Sequence, residues 1–379
     1  MKSLKYPKLI VNFISQKTKE HKPAEWLKFC FFKGYSFPPK RVILELTYRC
    51  NLKCRMCTQY GNHTSDTSYK DMSAQKQELD IKEYKRIIDE AISMNINSCY
   101  ITGGEPFLYK KILELISYIK QKGMYLSINT NGFFLEEYAH DLVTNNVNEI
   151  IVSVDGPAEI HNAIRKDEKS FEKAVKGLKA VSKYKSGIYP KIIVNCVLQE
   201  TNFQYIEKLI PIAIEAKATT LNFQHLMFLN KESAKKHQKV YLEKIGEQAT
   251  EIQIMASIRA NIEVSKLLEV ICAIETKNYP MQIGFSPYLT HDQIKEYYED
   301  KTYNYTKDLF CSGPWKEIRI DPFGNVSPCN GYVAGNVKNK PITKIWNEKR
   351  MRCFRIALES AGGKFPGCVR CCVLFRSAS

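Results

Sequence analysis

No run of about 18 consecutive apolar residues occurs anywhere in the 379 positions, which excludes a membrane-spanning helix. The opening stretch MKSLKYPKLIVNFISQKTKEHK lacks an unbroken apolar core and a small-residue cleavage site. A secretory signal is therefore not expected, and the protein reads as cytoplasmic. There is no long low-complexity tract and no internal repeat beyond a strand–helix unit. Acid is also scarce: 40 Asp and Glu stand against 56 Lys and Arg, a formal net charge of +16. The deficit is concentrated in residues 1–41, where ten Lys or Arg face only Glu20 and Glu25.

That basic leader, residues 1–40, also carries Tyr6, Phe13, Trp26, Phe29, Phe31 and Phe32. Three readings stay open for it. Its apolar residues pack on the main domain, or it touches a membrane surface, or it contacts nucleic acid. Of these, nucleic acid is expected least.

The remaining composition, 44% hydrophobic and 25% charged, is that of a globular chain long enough for one large domain and a smaller one. Thirteen cysteines stand out. In a reducing compartment clustered thiols point to metal binding or catalysis rather than disulfides. They fall into an early cluster, Cys50, Cys54 and Cys57, and a late group from Cys311 to Cys372. Cys30, Cys99, Cys196 and Cys272 stand alone and read as small buried apolar side chains.

From residue 41 onward, strand-like runs at 42–47, 97–102, 124–129, 148–154, 191–197 and 219–225 alternate with helical patterns near 81–94, 108–122, 135–145, 170–184 and 203–217. Such alternation predicts a parallel sheet with right-handed crossovers. Six units are too few for a closed eight-unit barrel, so the expected fold is α/β, a partial (β/α)6 barrel over 41–228. A small cysteine-rich domain should follow at 311–379, after a helical connecting region at 229–310. Within 229–310, helical patterns near 231–246 and 254–276 precede the tyrosine-rich EYYEDKTYNY.

The polar oddities of each unit sit at one place. The cysteine loop follows the first strand, GGEP (103–106) the second, NTNG (129–132) closes the third and SVDG (153–156) the fourth. In parallel α/β proteins the carboxyl ends of the strands build the active site. Thiolates suit zinc or iron–sulfur clusters. For zinc the nearest fourth ligand is His63, whereas a cubane held by three cysteines leaves one iron open. Gly103 and Gly104 allow close backbone approach to a ligand. Glu105 has two readings, an acceptor for an ammonium group or an acid at a helix start.

The CxxxCxxC of Cys50, Cys54 and Cys57, followed by GGEP, resembles the radical S-adenosylmethionine (radical SAM) enzymes over roughly residues 40–228. The resemblance implies a [4Fe–4S] cluster on the three cysteines, with S-adenosylmethionine on the open iron and the Gly103, Gly104 and Glu105 loop meeting its amino group. It further implies that Thr130, Asn131 and Ser153 face the methionine or ribose parts, and that Arg165 pairs with the cofactor carboxylate. Met56 departs from the family, which often has an aromatic residue before the third cysteine.

At the C-terminus, Cys311 and Cys329 flank an expected hairpin with FGN (323–325) as its turn, and Cys368 and Cys371 form a CxxC. Four such thiols suit a closed zinc or iron–sulfur site. The segment resembles the SPASM domain or its shortened form, the twitch domain. The later cysteines of a full SPASM domain are missing after Cys372, so the resemblance implies one auxiliary [4Fe–4S] cluster. Its ligands would be Cys311, Cys329, Cys368 and Cys371, with Cys372 as a substitute for Cys371 and Cys353 a weaker candidate.

By this resemblance the chain is an enzyme that cleaves S-adenosylmethionine reductively and abstracts hydrogen through a 5′-deoxyadenosyl radical. It would need a one-electron donor such as flavodoxin or ferredoxin. The expected substrate is a small molecule (a sugar, aminocyclitol or lipid-linked precursor) undergoing oxidation, epimerisation or bond formation. A peptide or protein maturase is the alternative within the family, and a zinc-stapled nucleic-acid-binding protein the alternative outside it. No residue is singled out as a catalytic base; Asp155, Tyr100 and the tyrosines near 297–305 are unranked.

Overall fold

A computed structural model describes residues 34–57, 77–249, 252–258, 260–299 and 304–376. The leader up to residue 33, Cys30 and His63 lie outside the described residues. Strand alternation decides the architecture. In β4 (Glu149–Ser153) and β5 (Lys191–Leu198) every second side chain is buried, among them Ile150, Val152, Ile192 and Val194. The intervening positions are half-buried or exposed. A strand presents alternate residues to opposite faces, so one face of the sheet is packed and apolar while the other is open and largely polar.

All six predicted strands form within two residues of their expected ends: β1 (Arg41–Glu45), β2 (Ser98–Thr102), β3 (Tyr125–Thr130), β4, β5 and β6 (Thr220–His225). They lie side by side, each parallel to the next. Helices α1 (Ile81–Ser93), α2 (Ile112–Gln121), α3 (Leu135–Thr144), α4 (Ala158–Arg165), α5 (Ser170–Tyr184) and α6 (Leu209–Glu215) fall between them in sequence. Helix α1 begins where it does because Asp80 and Glu83 form a capping box, with N–H to carboxylate distances of 2.9 and 3.0 Å. Its Ile81, Tyr84, Ile87, Ile88 and Ala91 are buried, one stripe facing the core.

Two features depart from the six-unit expectation. A seventh strand, β7 (Gln282–Ser286), pairs parallel with β6 and comes from the connecting segment expected to be helical. That segment also holds α7 (Lys231–Ile245), α8 (Val264–Glu275) and α9 (His291–Glu299). On the other side of β1 lies β8 (Glu317–Ile320), the first strand of the C-terminal hairpin, again parallel. Strands β9 (Asn325–Ser327) and β10 (Gly335–Asn336) extend it antiparallel, giving one ten-stranded sheet in the order β10-β9-β8-β1-β2-β3-β4-β5-β6-β7. The auxiliary segment thus shares its sheet with the core instead of sitting apart. The hairpin turn is the expected one, with Gly324 at φ +88° between β8 and β9.

The isolated thiols Cys99 and Cys196 are fully buried core residues, as expected. Cys272 is only half-buried and stands 3.8 Å from the Nε2 of His291. No described helix is long and apolar enough to cross a membrane.

Candidate cofactor site

The cysteine loop leaves the end of β1 and is clamped at once by the loop after β2. The Gly104 amide donates to the Thr47 carbonyl at 2.7 Å, and the Glu105 amide to the Arg49 carbonyl at 2.9 Å. A Cβ on Gly103 would lie 2.5 Å from Thr47 O, and one on Gly104 2.2 Å from Arg49 O. Only glycine permits this backbone-on-backbone contact, and Gly103 in addition holds φ +134°. The two motifs therefore form one unit, with the cysteines carried on its outer turn.

Glu105 braces that unit from inside. Its carboxyl is fully buried and accepts from Thr130 Oγ1 at 2.8 Å, from the Asn131 amide at 2.8 Å and from the Phe107 amide at 3.3 Å. Burial pushes its pKa up to about 7, against the pull of those donors. Both oxygens are thus engaged within the protein. The helix-start reading of Glu105 holds, since it caps the short 3-10 turn Pro106–Leu108. Thr130, almost fully buried, is likewise engaged with Glu105. Asn131 looks the other way: its Nδ2 reaches Asn51 Oδ1 at 2.9 Å and Cys50 Sγ at 3.8 Å.

Cys54 is buried, whereas Cys50 and Cys57 are half-buried. Burial pushes the Cys50 thiol up to about 12, and the neighbouring Glu105, Cys54 and Cys57 push the same way. Burial also raises the Cys54 thiol, and two thiols that resist ionising suit a strongly cationic centre. The donors around them suit thiolate sulfur: the Leu52 amide at 3.5 Å from Cys50 Sγ, and Arg165 Nη1 at 3.7 Å from Cys54 Sγ. Among the described residues no three Cys, His, Asp or Glu side chains are spaced to hold one metal ion.

Arg165 ends α4, a helix that the sequence pattern did not reveal, and the turn after it uses Lys166 at φ +57°. Its Nε donates to Asp155 Oδ2 at 2.6 Å, with Arg165 7% exposed and Asp155 fully buried. This is no surface ion pair. Asp155 also accepts from the Val197 amide at 3.0 Å, while its own amide donates to His161 Nδ1 at 3.0 Å. Burial pushes His161 down to about 4, so it is the neutral ring that accepts that bond. Asp155 is therefore committed to structure and is a poor candidate for a base.

Ser153 is half-buried at the end of β4, on the face opposite the packed side chains. It is in register with Asn195 of β5, which is in register with Asn222 of β6, and Asn222 Nδ2 donates to Asn195 Oδ1 at 2.5 Å. Thr102, Asn129 and Gln224 lie half-buried on the same face, with Ile151, Ile193 and Val197 interleaved among these hydroxyls and carboxamides. Ser153 belongs to SVDG and Asn129 to NTNG, whereas Asn195 and Asn222 lie in no recognised motif and only the alternation within β5 and β6 signals them. Tyr100 is half-buried in β2. Tyr297 and Tyr298 are instead enclosed among the helices, their hydroxyls on Leu226 O and His225 Nδ1 at 2.9 Å each.

In the C-terminal segment, Cys368 is half-buried and its thiol is pushed up, first by burial and then by Cys329 and Cys311. Three of the four expected auxiliary ligands therefore share one neighbourhood. Cys371 follows one turn later, its amide donating to Cys368 O at 2.9 Å. Cys372 lies near Tyr297 and Cys353 near Tyr332.

Residues 44–210 match the family model of the radical SAM superfamily, and residues 311–372 match that of an iron–sulfur cluster-binding domain, SPASM. Among curated proteins, the sequence is 25% identical over 325 residues to an Fe-coproporphyrin III synthase of Methanosarcina barkeri, covering 81% of this chain and 73% of that protein. It is 24% identical over 327 residues to a PqqA peptide cyclase of Xanthomonas euvesicatoria, covering 82% and 74%. Among solved structures, SuiB of Streptococcus suis bound to S-adenosylmethionine superposes with a TM-score of 0.61 at 13% identity, covering 92% of this chain and 77% of that one.

Proposed function

Since the chain is a radical SAM enzyme with a C-terminal SPASM-type iron–sulfur domain, we propose that it removes a hydrogen atom from a neutral, hydroxyl-rich small molecule seated against the open face of its sheet. Bound to the cysteine loop, the [4Fe–4S] cluster and S-adenosylmethionine supply the radical chemistry. The chain's own share is to hold and orient. Cys50, Cys54 and Cys57 bind the cluster, and the Gly103–Gly104 backbone gives the cofactor room. Asn131 acts at the Cys50 sulfur. Arg165, held by Asp155, offers its remaining N–H groups to the cofactor carboxylate, and Ser153 faces the ribose. Glu105 and Thr130 fix the geometry from behind. Cys311, Cys329, Cys368 and Cys371 hold an auxiliary cluster, and the electron comes from a carrier of the flavodoxin or ferredoxin type.

One observation carries the substrate class, the uncharged half-buried side chains of Thr102, Asn129, Asn195, Asn222 and Gln224 on one face of the sheet. Carboxamides and hydroxyls both donate and accept, which matches a sugar or aminocyclitol better than a polyanion. A second reading has its own support. A relative is named as a peptide cyclase and a structural neighbour was solved with its precursor peptide, at TM-score 0.61 and 14% identity; a peptide backbone would also suit such a face.

The test has two stages. Anaerobically reconstituted protein should hold about eight irons, of which substitution of Cys50, Cys54 and Cys57 removes half. Turnover is then screened for substrate-dependent 5′-deoxyadenosine, with deuterated sugars and aminocyclitols in one arm and synthetic peptides in the other. Deuterium transfer only from peptides would replace the small-molecule reading with the maturase. Zinc without iron would overturn both.

A further inference from the structure

A buried amide donor that meets no acceptor is costly, and folded proteins leave few of them. Among the described residues, Asn51 Nδ2 is such an atom, buried and without a hydrogen-bond partner, and it is the one carried by the cysteine loop itself. Asn51 follows Cys50 directly and precedes Leu52, whose amide stands 3.5 Å from the Cys50 sulfur.

A chain of bonds starting at the backbone fixes which end of the Asn51 carboxamide is nitrogen. The Phe133 amide donates to Asn131 Oδ1 at 2.9 Å, so the other end of the Asn131 side chain is its Nδ2. That nitrogen donates to Asn51 Oδ1 at 2.9 Å and stands 3.8 Å from Cys50 Sγ. The Asn51 oxygen is thereby engaged, and its nitrogen is turned away from Asn131. Nor is the frame slack, since the Asn131 amide donates to Glu105 Oε2 at 2.8 Å. The acceptors nearby are already in use. Thr47 O accepts from Gly104 and Arg49 O from Glu105, while both Glu105 oxygens hold donors of their own.

We propose that Asn51 Nδ2 donates to an anionic sulfur of the [4Fe–4S] cluster bound by Cys50, Cys54 and Cys57, and that this bond makes the cluster easier to reduce. The inference rests on the radical SAM reading above. A hydrogen bond to sulfur favours the more negative of two charge states, here the reduced one, and so raises the reduction potential. The step it tunes adds one electron from an external reductant, with no covalent bond made or broken. Asn51, the Leu52 amide and Asn131 then form one set of donors on the Cys50 side, as Arg165 does beside Cys54.

The test is a redox titration of anaerobically reconstituted wild-type, Asn51→Leu and Asn51→Asp holoenzymes, followed by electron paramagnetic resonance. The core cluster is the signal that disappears when Cys50, Cys54 and Cys57 are substituted. Asn51→Leu keeps the size and removes the donor. Its reduction equilibrium should move about tenfold toward the oxidised form, a fall of about 59 mV for one electron. Asn51→Asp keeps an acceptor for Asn131 and puts an anion where the donor was, so its potential should fall further. Iron content and S-adenosylmethionine affinity should match wild type in both. The sign is diagnostic, because water admitted by a loosened loop would stabilise the reduced state and raise the potential. Should the variants lose their iron, the wild-type protein decides alone. With nitrogen-15 in its asparagine side chains, pulsed resonance of the reduced core cluster should resolve two coupled carboxamide nitrogens, from Asn51 and Asn131. One such nitrogen or none, an unchanged or raised potential in Asn51→Leu, or a loss confined to S-adenosylmethionine affinity would each overturn the proposal. Zinc in place of iron, or no reducible signal from the cysteine loop, would instead sink the radical reading itself.

Discussion

Arg319 of the C-terminal hairpin meets Glu45 at the end of β1, guanidinium nitrogen and carboxylate oxygen 2.5 Å apart. The other Glu45 oxygen accepts from the Tyr48 hydroxyl at 3.0 Å. Glu45 lies five residues before Cys50, and Arg319 is close enough to feel the Cys329 thiol. The pair thus joins the base of the first cysteine loop to the auxiliary hairpin. Hydrogen bonds to charged groups contribute about 1.5–3 kcal/mol, and both partners here are largely buried. Arg319→Met should therefore lower stability by about that amount in urea unfolding, while Arg319→Lys recovers part of it. An unchanged midpoint for Arg319→Met would mean the parallel β1–β8 pairing alone joins the two parts.

Glu105 supplies a pH dependence. Its folded pKa is raised from 4.5 to about 7 by burial. Between those values the folded state keeps a proton that the unfolded state has released, so the unfolded chain binds fewer protons. Stability then falls as pH rises from about 4.5 to about 7, by about 3 kcal/mol at full effect. Glu105→Gln should remove that part of the slope. It should also be mild near neutrality, because its amide can donate to the Thr130 hydroxyl while its oxygen keeps the Asn131 amide. Glu105→Ala leaves buried donors without an acceptor and should cost about 3 kcal/mol or more. Denaturation curves from pH 5 to 7.5 decide it: a slope unchanged in the Gln variant would assign the dependence elsewhere.

Much of this was legible in the sequence because the core strands announce themselves twice, by apolar alternation and by the polar loop that follows each. Less legible was β7, whose QIGFS is short, carries Gly284 and precedes Pro287. Helix α4 was lost for a similar reason, since eight residues following a proline give little periodicity. Its loss concealed why Arg165 matters: nothing in IHNAIRK reveals that Asp155, ten residues earlier, is its partner. The parallel pairing of β1 with β8 was likewise hidden, since no local pattern joins residues so far apart in sequence. The role of Glu105 was mixed. Its motif was conspicuous, but nothing in the motif indicated that Thr130, Asn131 and Phe107 donate to its carboxyl.

Gly104 offers a clean steric test. Its φ is unremarkable, so an alanine there fails only by contact, 2.2 Å from Arg49 O and 2.9 Å from Tyr48 C. Both atoms are backbone and cannot rotate away. Gly104→Ala should therefore push the cysteine loop off the GGEP loop, leaving less than half of the wild-type iron on the core site after reconstitution. Far-UV circular dichroism should be preserved, because the strands are untouched. Gly187→Ala, at a glycine with nothing within 4 Å, is the matched control and should retain full iron. Normal iron in the Gly104 variant would show that the two loops need not touch to hold the cluster.

Arg165 is the residue whose proposed role depends most on separating binding from folding. The guanidinium uses Nε for Asp155 and Nη1 for Cys54, which leaves further N–H groups for a cofactor carboxylate. A buried pair broken on one side costs about 3–5 kcal/mol, so Asp155→Ala and Arg165→Met should both lower the unfolding midpoint. They should differ in affinity. Arg165→Lys keeps the charge but loses the planar fork, and S-adenosylmethionine should bind it about tenfold more weakly, the 1.4 kcal/mol expected of one charged contact. Iron content in that variant should stay at the wild-type level. Asp155→Asn leaves the guanidinium intact and an acceptor for the Val197 amide, and should change the affinity less than Arg165→Lys does. Equilibrium dialysis on correctly folded, iron-loaded protein separates the cases. If all these variants bind the cofactor as wild type does, the Arg165–Asp155 pair serves the fold and the thiolate of Cys54, and another group must meet the carboxylate.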